Sequence, residues 1–130
     1  MNRQDVFDKA VSGILKQGKP AISEISCVYL ARDGSKCIVG QLLPDGHPGQ
    51  EYAGSVEYLL NDYPDLLETL EINSNDDKNF LAALQGCHDA GGLSADASPT
   101  TWKNNFLTLV KDVAIRYSLD ASILKKGFEQ

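Results

Sequence analysis

The longest regular pattern in this chain is an apolar stripe at Trp102, Phe106, Leu109, Val110, Val113 and Tyr117. Recurrence of that kind lines one face of an α-helix and cannot line one face of a strand. Ser98 and Pro99 precede it, a side chain suited to capping and a ring pre-set for the first helical position. The stripe has to be buried, so other amphipathic segments must cover it. Val6, Phe7, Ala10, Val11, Ile14 and Leu15 supply one, opened by Asn2 and Asp5 and stopped by Gly18 and Pro20. Val56, Leu59, Leu60 and Tyr63 make a shorter face that ends before Pro64, and Leu66, Leu67 and Leu70 make another. Ser74 to Asp77 offer a cap and first-turn carboxylates for a helix carrying Phe80, Leu81, Leu84, Cys87 and His88 on one face. Gly91 and Gly92 close that helix, and a last turn is expected from Ala121 to Lys126.

One segment breaks the helical pattern. Cys27 to Ala31 is rich in strand formers, Asp33 and Gly34 form a tight-turn pair, and Lys36 to Val39 can pair back or begin a helix. Pro44, Gly46, Pro48 and Gly49 mark a loop, and residues 91–99 mark a second, expected to be mobile. The expectation is a mainly α (α+β) fold, a single-domain helical bundle over residues 1–130 with one short β-hairpin near residues 27–39. At 130 residues and 14.1 kDa the chain can bury a core without metals or disulfides. Its 42% hydrophobic and 23% charged residues fit a folded soluble protein rather than a disordered one. Apolar runs are too short to span a membrane, and the opening Asn-Arg-Gln-Asp lacks a signal core, so a cytoplasmic location is expected. An odd number of cysteines does not suggest a disulfide framework.

Charge is distributed unevenly. Between Lys36 and Lys78 there is no Lys or Arg, yet Asp45, Glu51, Glu57, Asp62, Asp65, Glu68, Glu71, Asp76 and Asp77 all fall there. These are nine of the 18 acids, and the remaining nine meet all 12 bases, so the net charge of -6 belongs to this middle third. A patch of one sign favours a partner of the other. A pI near 4.7 argues against direct nucleic-acid binding, which needs basic groups to neutralise phosphates.

The segment from Ser26 to Asp45, SCVYLARDGSKCIVGQLLPD, resembles a family of small, largely uncharacterised bacteriophage and prophage proteins. Members have a first helix ending in a QGK-like turn, here Gln17, Gly18 and Lys19. A block of the form CxY…DG.KCxxGxLxPD follows, matched by Cys27, Tyr29, Asp33, Gly34, Lys36, Cys37, Gly40, Leu42, Pro44 and Asp45. A later LQxxHD is matched by Leu84, Gln85, His88 and Asp89, and a C-terminal tryptophan-led helix by Trp102 onward. The match covers most of the chain, although each motif is short. It departs at Tyr52, Ala53 and Gly54, where the family carries an acid before the glycine. The resemblance implies a phage or prophage origin and no particular reaction.

Several residues have the chemistry of a site. Cys37 stands where a turn gives way to an apolar run, a position that favours a thiolate if it opens a helix. His88, with Asp89 beside it, can then be read as base to a Cys37 nucleophile. Against this, His88 shares its helical face with Phe80, Leu81 and Leu84, the setting of a hydrogen-bonded core histidine. Cys27, Cys37, Cys87 and His88 have the count for tetrahedral zinc, but not the spacing. Cys27 and Cys37 are far apart, and Cys87 and His88 diverge by about 100° on a helix. His47 reads as a solvated loop residue, and Trp102 as core.

The expected function is therefore a non-enzymatic phage or prophage accessory protein. It would bind a host or phage protein with a basic surface through Glu57, Asp62, Asp65, Glu68 and Glu71, inhibiting a host nucleic-acid-binding or defence protein by imitating a row of phosphates. The alternatives are a cysteine-dependent hydrolase built on Cys37 and His88, and a homo-oligomeric structural protein pairing leucines of residues 56–70 across a two-fold axis. No cofactor is expected.

Overall fold

The computed structural model describes residues 2–18, 36–51, 56–72, 74–92 and 99–126. Helix α1, Arg3–Gln17, begins in a reciprocal cap: the Asn2 side chain accepts from Asp5 N–H at 2.8 Å, and Asp5 accepts from Asn2 N–H. It ends at Gly18, whose φ of 76° turns the chain left-handed while its N–H reaches Ile14 O. A 3-10 turn at Pro48–Glu51 leads toward two short helices, α2 (Val56–Asp62) and α3 (Asp65–Thr69). Helices α4 (Asn75–Gly92) and α5 (Pro99–Arg116) form the most extensive helix pairing, and a second 3-10 turn spans Ser122–Lys126.

The amphipathic faces expected from periodicity are the buried ones. Val6, Phe7, Ala10, Val11, Ile14 and Leu15 are buried on α1, and Trp102, Phe106, Val110 and Val113 on α5. They share one core cluster with residues of α2, α3, α4 and the turn at 37–43. Two helix ends were not legible as stops. After α3, Ile72 N–H bonds Leu67 O and Glu71 N–H bonds Glu68 O; after α5, Leu119 N–H bonds Ala114 O and Ser118 N–H bonds Ile115 O. These are paired C-terminal caps in which glycine usually stands at the left-handed position. Here Glu71 (φ 52°) and Ser118 (φ 57°) occupy it. Helix α4, by contrast, runs through Gly91 and Gly92 rather than stopping before them.

Mainly helical architecture is observed, but the β-hairpin is not. Residues 27–35 lie outside the described residues, as does most of the loop at 91–99. The expected return arm, Lys36 to Val39, enters a turn: Gln41 N–H bonds Cys37 O and Leu42 N–H bonds Val39 O. Among the described residues no strand forms. Lys36 takes part in a single β-bridge, and Cys37, Ile38, Val39 and Gly40 after it are buried in succession.

A buried turn needs partners for its backbone, and side-chain amides provide them. Gln17 accepts from Lys36 N–H at 2.7 Å and donates to Lys36 O at 2.9 Å, pairing with that residue as a neighbouring strand would. Gln41 donates to Gln17 Oε1 at 3.2 Å and reaches across Gly13, where a Cβ on the helix would collide with it. Gln85, buried on α4, accepts from Val39 N–H at 3.0 Å. At the other end of α1, Gln4 treats Asp120 likewise, donating to its carbonyl and accepting from its N–H, each at 2.9 Å. Gln85→Ala should cost about 1–3 kcal/mol because it strands a buried N–H, whereas Gln4→Ala, whose partner Asp120 is exposed, should cost at most about 1 kcal/mol. Chemical denaturation of the two variants checks the ordering.

Candidate functional site

Nucleophile, base and metal ligands are considered first. Cys37 is fully buried in the turn it opens, and its Sγ accepts from Gly40 N–H at 3.3 Å. His88 is also fully buried; its carbonyl accepts from Trp102 Nε1 at 3.1 Å, and the two rings meet edge-on with centroids 6.0 Å apart. No substrate reaches either group without opening the core. The side chain of Asp89 and all of Cys27 lie outside the described residues. Cys87 donates to Ala83 O at 3.3 Å. Among the described residues no group of three or more His, Cys, Asp or Glu is placed to hold a metal, so Cys37, Cys87 and His88 do not make one. Cys37 and Cys87 are both free thiols.

His47, expected to be solvated, is anchored instead. Gly49 N–H donates to its Nδ1 at 2.9 Å, so the ring hydrogen lies on Nε2, which meets Asp65 Oδ2 at 2.8 Å. Tyr63 packs edge-on against the ring with centroids 5.3 Å apart. Both ring nitrogens are occupied, which leaves no lone pair for a substrate or an ion. A Cβ at Gly49 would come within 2.9 Å of Nδ1 and 3.2 Å of Leu59 Cδ1, so a side chain there would have to displace the ring.

The acidic stretch is divided by the fold. Arg3, from the far N-terminus, binds Asp77 at 2.7 Å and Asp76 at 3.1 Å. Its guanidinium lies 5.6 Å from the Phe80 ring centroid and 5.2 Å from that of Tyr117, so it joins α1, α4 and the end of α5. The hydrogen bond to Asp77 raises the Arg3 pKa. Lys36 approaches Asp45 at 3.4 Å, an exposed contact worth little. Asp65 is taken by His47. On α2 and α3 Glu57, Asp62 and Glu68 are exposed, as is Glu71 just beyond α3, and among the described residues none of the ion pairs includes Glu57, Asp62 or Glu68. Tyr58 stands beside Glu57 with 64% of its surface exposed, a large apolar group that periodicity did not single out.

No helix among the described residues is long and apolar enough to cross a membrane. Comparison of the chain with protein-family models, with curated proteins and with solved structures gives no match.

Burial fixes the titration of one thiol. Desolvation pushes Cys87 up to about 12 from 9.0, with Arg116 pulling weakly the other way. The unfolded chain ionises this thiol near pH 9.0 and the folded chain only near 12, so stability is whole below that window and falls as pH rises through it. Cys87→Ala should therefore lose less stability than the parent between about pH 8 and about pH 11. Urea midpoints at the two pH values measure it.

Proposed function

We propose that this protein acts by binding another protein, without catalysing a reaction, through the carboxylates of α2 and α3. The observation that carries the reading is that Glu57, Asp62 and Glu68 stand exposed on two consecutive short helices and meet no base among the described residues. Asp76 and Asp77, part of the acidic run though not of the five binding residues expected from it, are both taken by Arg3. Asp65 contributes its charge but is oriented by His47. Carboxylates in such a row suit a basic surface, and their main contribution is to speed and steer encounter. The motif resemblance to bacteriophage and prophage proteins makes a host nucleic-acid-binding or defence protein a fitting partner. Its groove for phosphates would accept the row in their place.

A cysteine hydrolase is disfavoured by the burial of Cys37 and His88. The quadruple variant Glu57→Gln, Asp62→Asn, Glu68→Gln, Glu71→Gln should weaken association with a captured basic partner at least about tenfold at low salt. The triple variant that keeps Glu71 should match the parent's melting temperature. Equal retention of that partner by parent and variant at low salt contradicts the reading.

A further inference from the structure

The two nitrogens of His47 meet neighbours that make opposite demands on its charge. Nδ1 accepts from Gly49 N–H at 2.9 Å, which requires a bare lone pair at that atom. Nε2 donates to Asp65 at 2.8 Å, a bond that a positive ring would strengthen. Only 10% of the His47 side chain is exposed, so the ring is fixed in this arrangement rather than free in water. Among the described residues the titratable groups against the ring are Asp65 of α3 and Tyr63, which joins α2 to α3. Asp45, on the same segment as His47, is engaged with Lys36. Gly49 itself is buried and packs against Leu59 of α2, which is fully buried.

We infer that His47 is a pH-sensitive latch: a proton taken up at Nδ1 releases Gly49 N–H and swings the 3-10 turn Pro48–Glu51 off Leu59, while Asp65 keeps the ring in place. Histidine is the side chain whose charge ordinarily changes between about pH 5 and about pH 8. The imidazolium carries hydrogen on both nitrogens and has no acceptor left. Two N–H groups then face each other across the distance of a hydrogen bond, and one must leave. The ring is the better held of the two, because its bond to Asp65 becomes a charge-assisted ion pair. The backbone therefore moves, and the freed N–H has to find water because a buried donor is not left unpaired. Glycine at 49 makes that rotation cheap. His47 N–H bonds Pro44 O at 3.0 Å without help from the ring, so the movement starts beyond residue 47. The same proton offsets the charge of Asp65 on the acidic face of α3.

No partner is needed to see the latch, so its failure leaves the binding reading untouched, and failure of that reading leaves the latch untouched. The test is a nuclear magnetic resonance titration of the full ¹⁵N-labelled chain from pH 8 to pH 5. At pH 8 the His47 ring should show a bare Nδ1 and a protonated Nε2. As the ring titrates, the Gly49 amide signal should move with the same midpoint. Its protection against hydrogen exchange, corrected for the intrinsic pH dependence, should fall at least about tenfold while the amides of α1 keep theirs. His47→Phe, which keeps a ring but cannot accept or titrate, should show an unprotected Gly49 amide at both pH values. A Gly49 amide that stays protected while the ring is protonated overturns the inference. So does a ring with its hydrogen on Nδ1 at pH 8, or one that stays neutral down to pH 5. A loss of protection shared by α1, or a Gly49 titration that persists in His47→Phe, overturns it as well.

Discussion

Backbone groups of the turn at 36–41 cannot be left unpaired in the core, and the fold is organised around pairing them. Cys37, Ile38 and Val39 are all fully buried, so water is not at hand for their polar atoms. Gln17 ties the turn to the end of α1, Gln85 ties it to the middle of α4, and the Cys37 sulfur accepts the Gly40 N–H within it. An amide that pairs with backbone does more than satisfy a donor. It fixes the register of the turn against two helices and so sets which apolar side chains enter the shared core.

That constraint accounts for the residues that looked reactive. Cys37 is part of the turn, and His88 supplies a carbonyl to the Trp102 indole where α4 and α5 meet. The residues that the short sequence motifs single out, Gln17, Lys36, Cys37, Gly40, Gln85 and His88, are to this extent residues that assemble the core. Open chemistry lies outside it, on α2 and α3, where carboxylates and Tyr58 are exposed.

Local signals in the sequence were readable because their causes are local. Asn2 and Asp5 cap α1 through residues three apart, and the stripe from Trp102 to Val113 is a property of one helix. The amide clamps were hidden because Gln17 and Lys36 are 19 residues apart, Val39 and Gln85 46, and Gln4 and Asp120 116. Nothing in a glutamine's neighbours announces that it will act as backbone. The charge run misled for the same reason, since counting along the chain does not reveal that Arg3 arrives at Asp77 from 74 residues away. Residues 36–39 left two readings open in the sequence because Ile and Val suit a buried turn as well as a sheet, and the other arm at 27–31 lies outside the described residues. Glu71 and Ser118, at positions where glycine is usual, gave no warning of a helix end.

If the core absorbs Cys37, its thiol should react only when the molecule opens. Alkylation at neutral pH, followed residue by residue by mass spectrometry across low denaturant concentrations, is the most direct measurement. Cys37 should be unmodified in the native protein and become labelled in parallel with global unfolding. Rapid modification of Cys37 in the folded protein, independent of denaturant, would show an accessible reactive thiol and return the molecule to the enzymes.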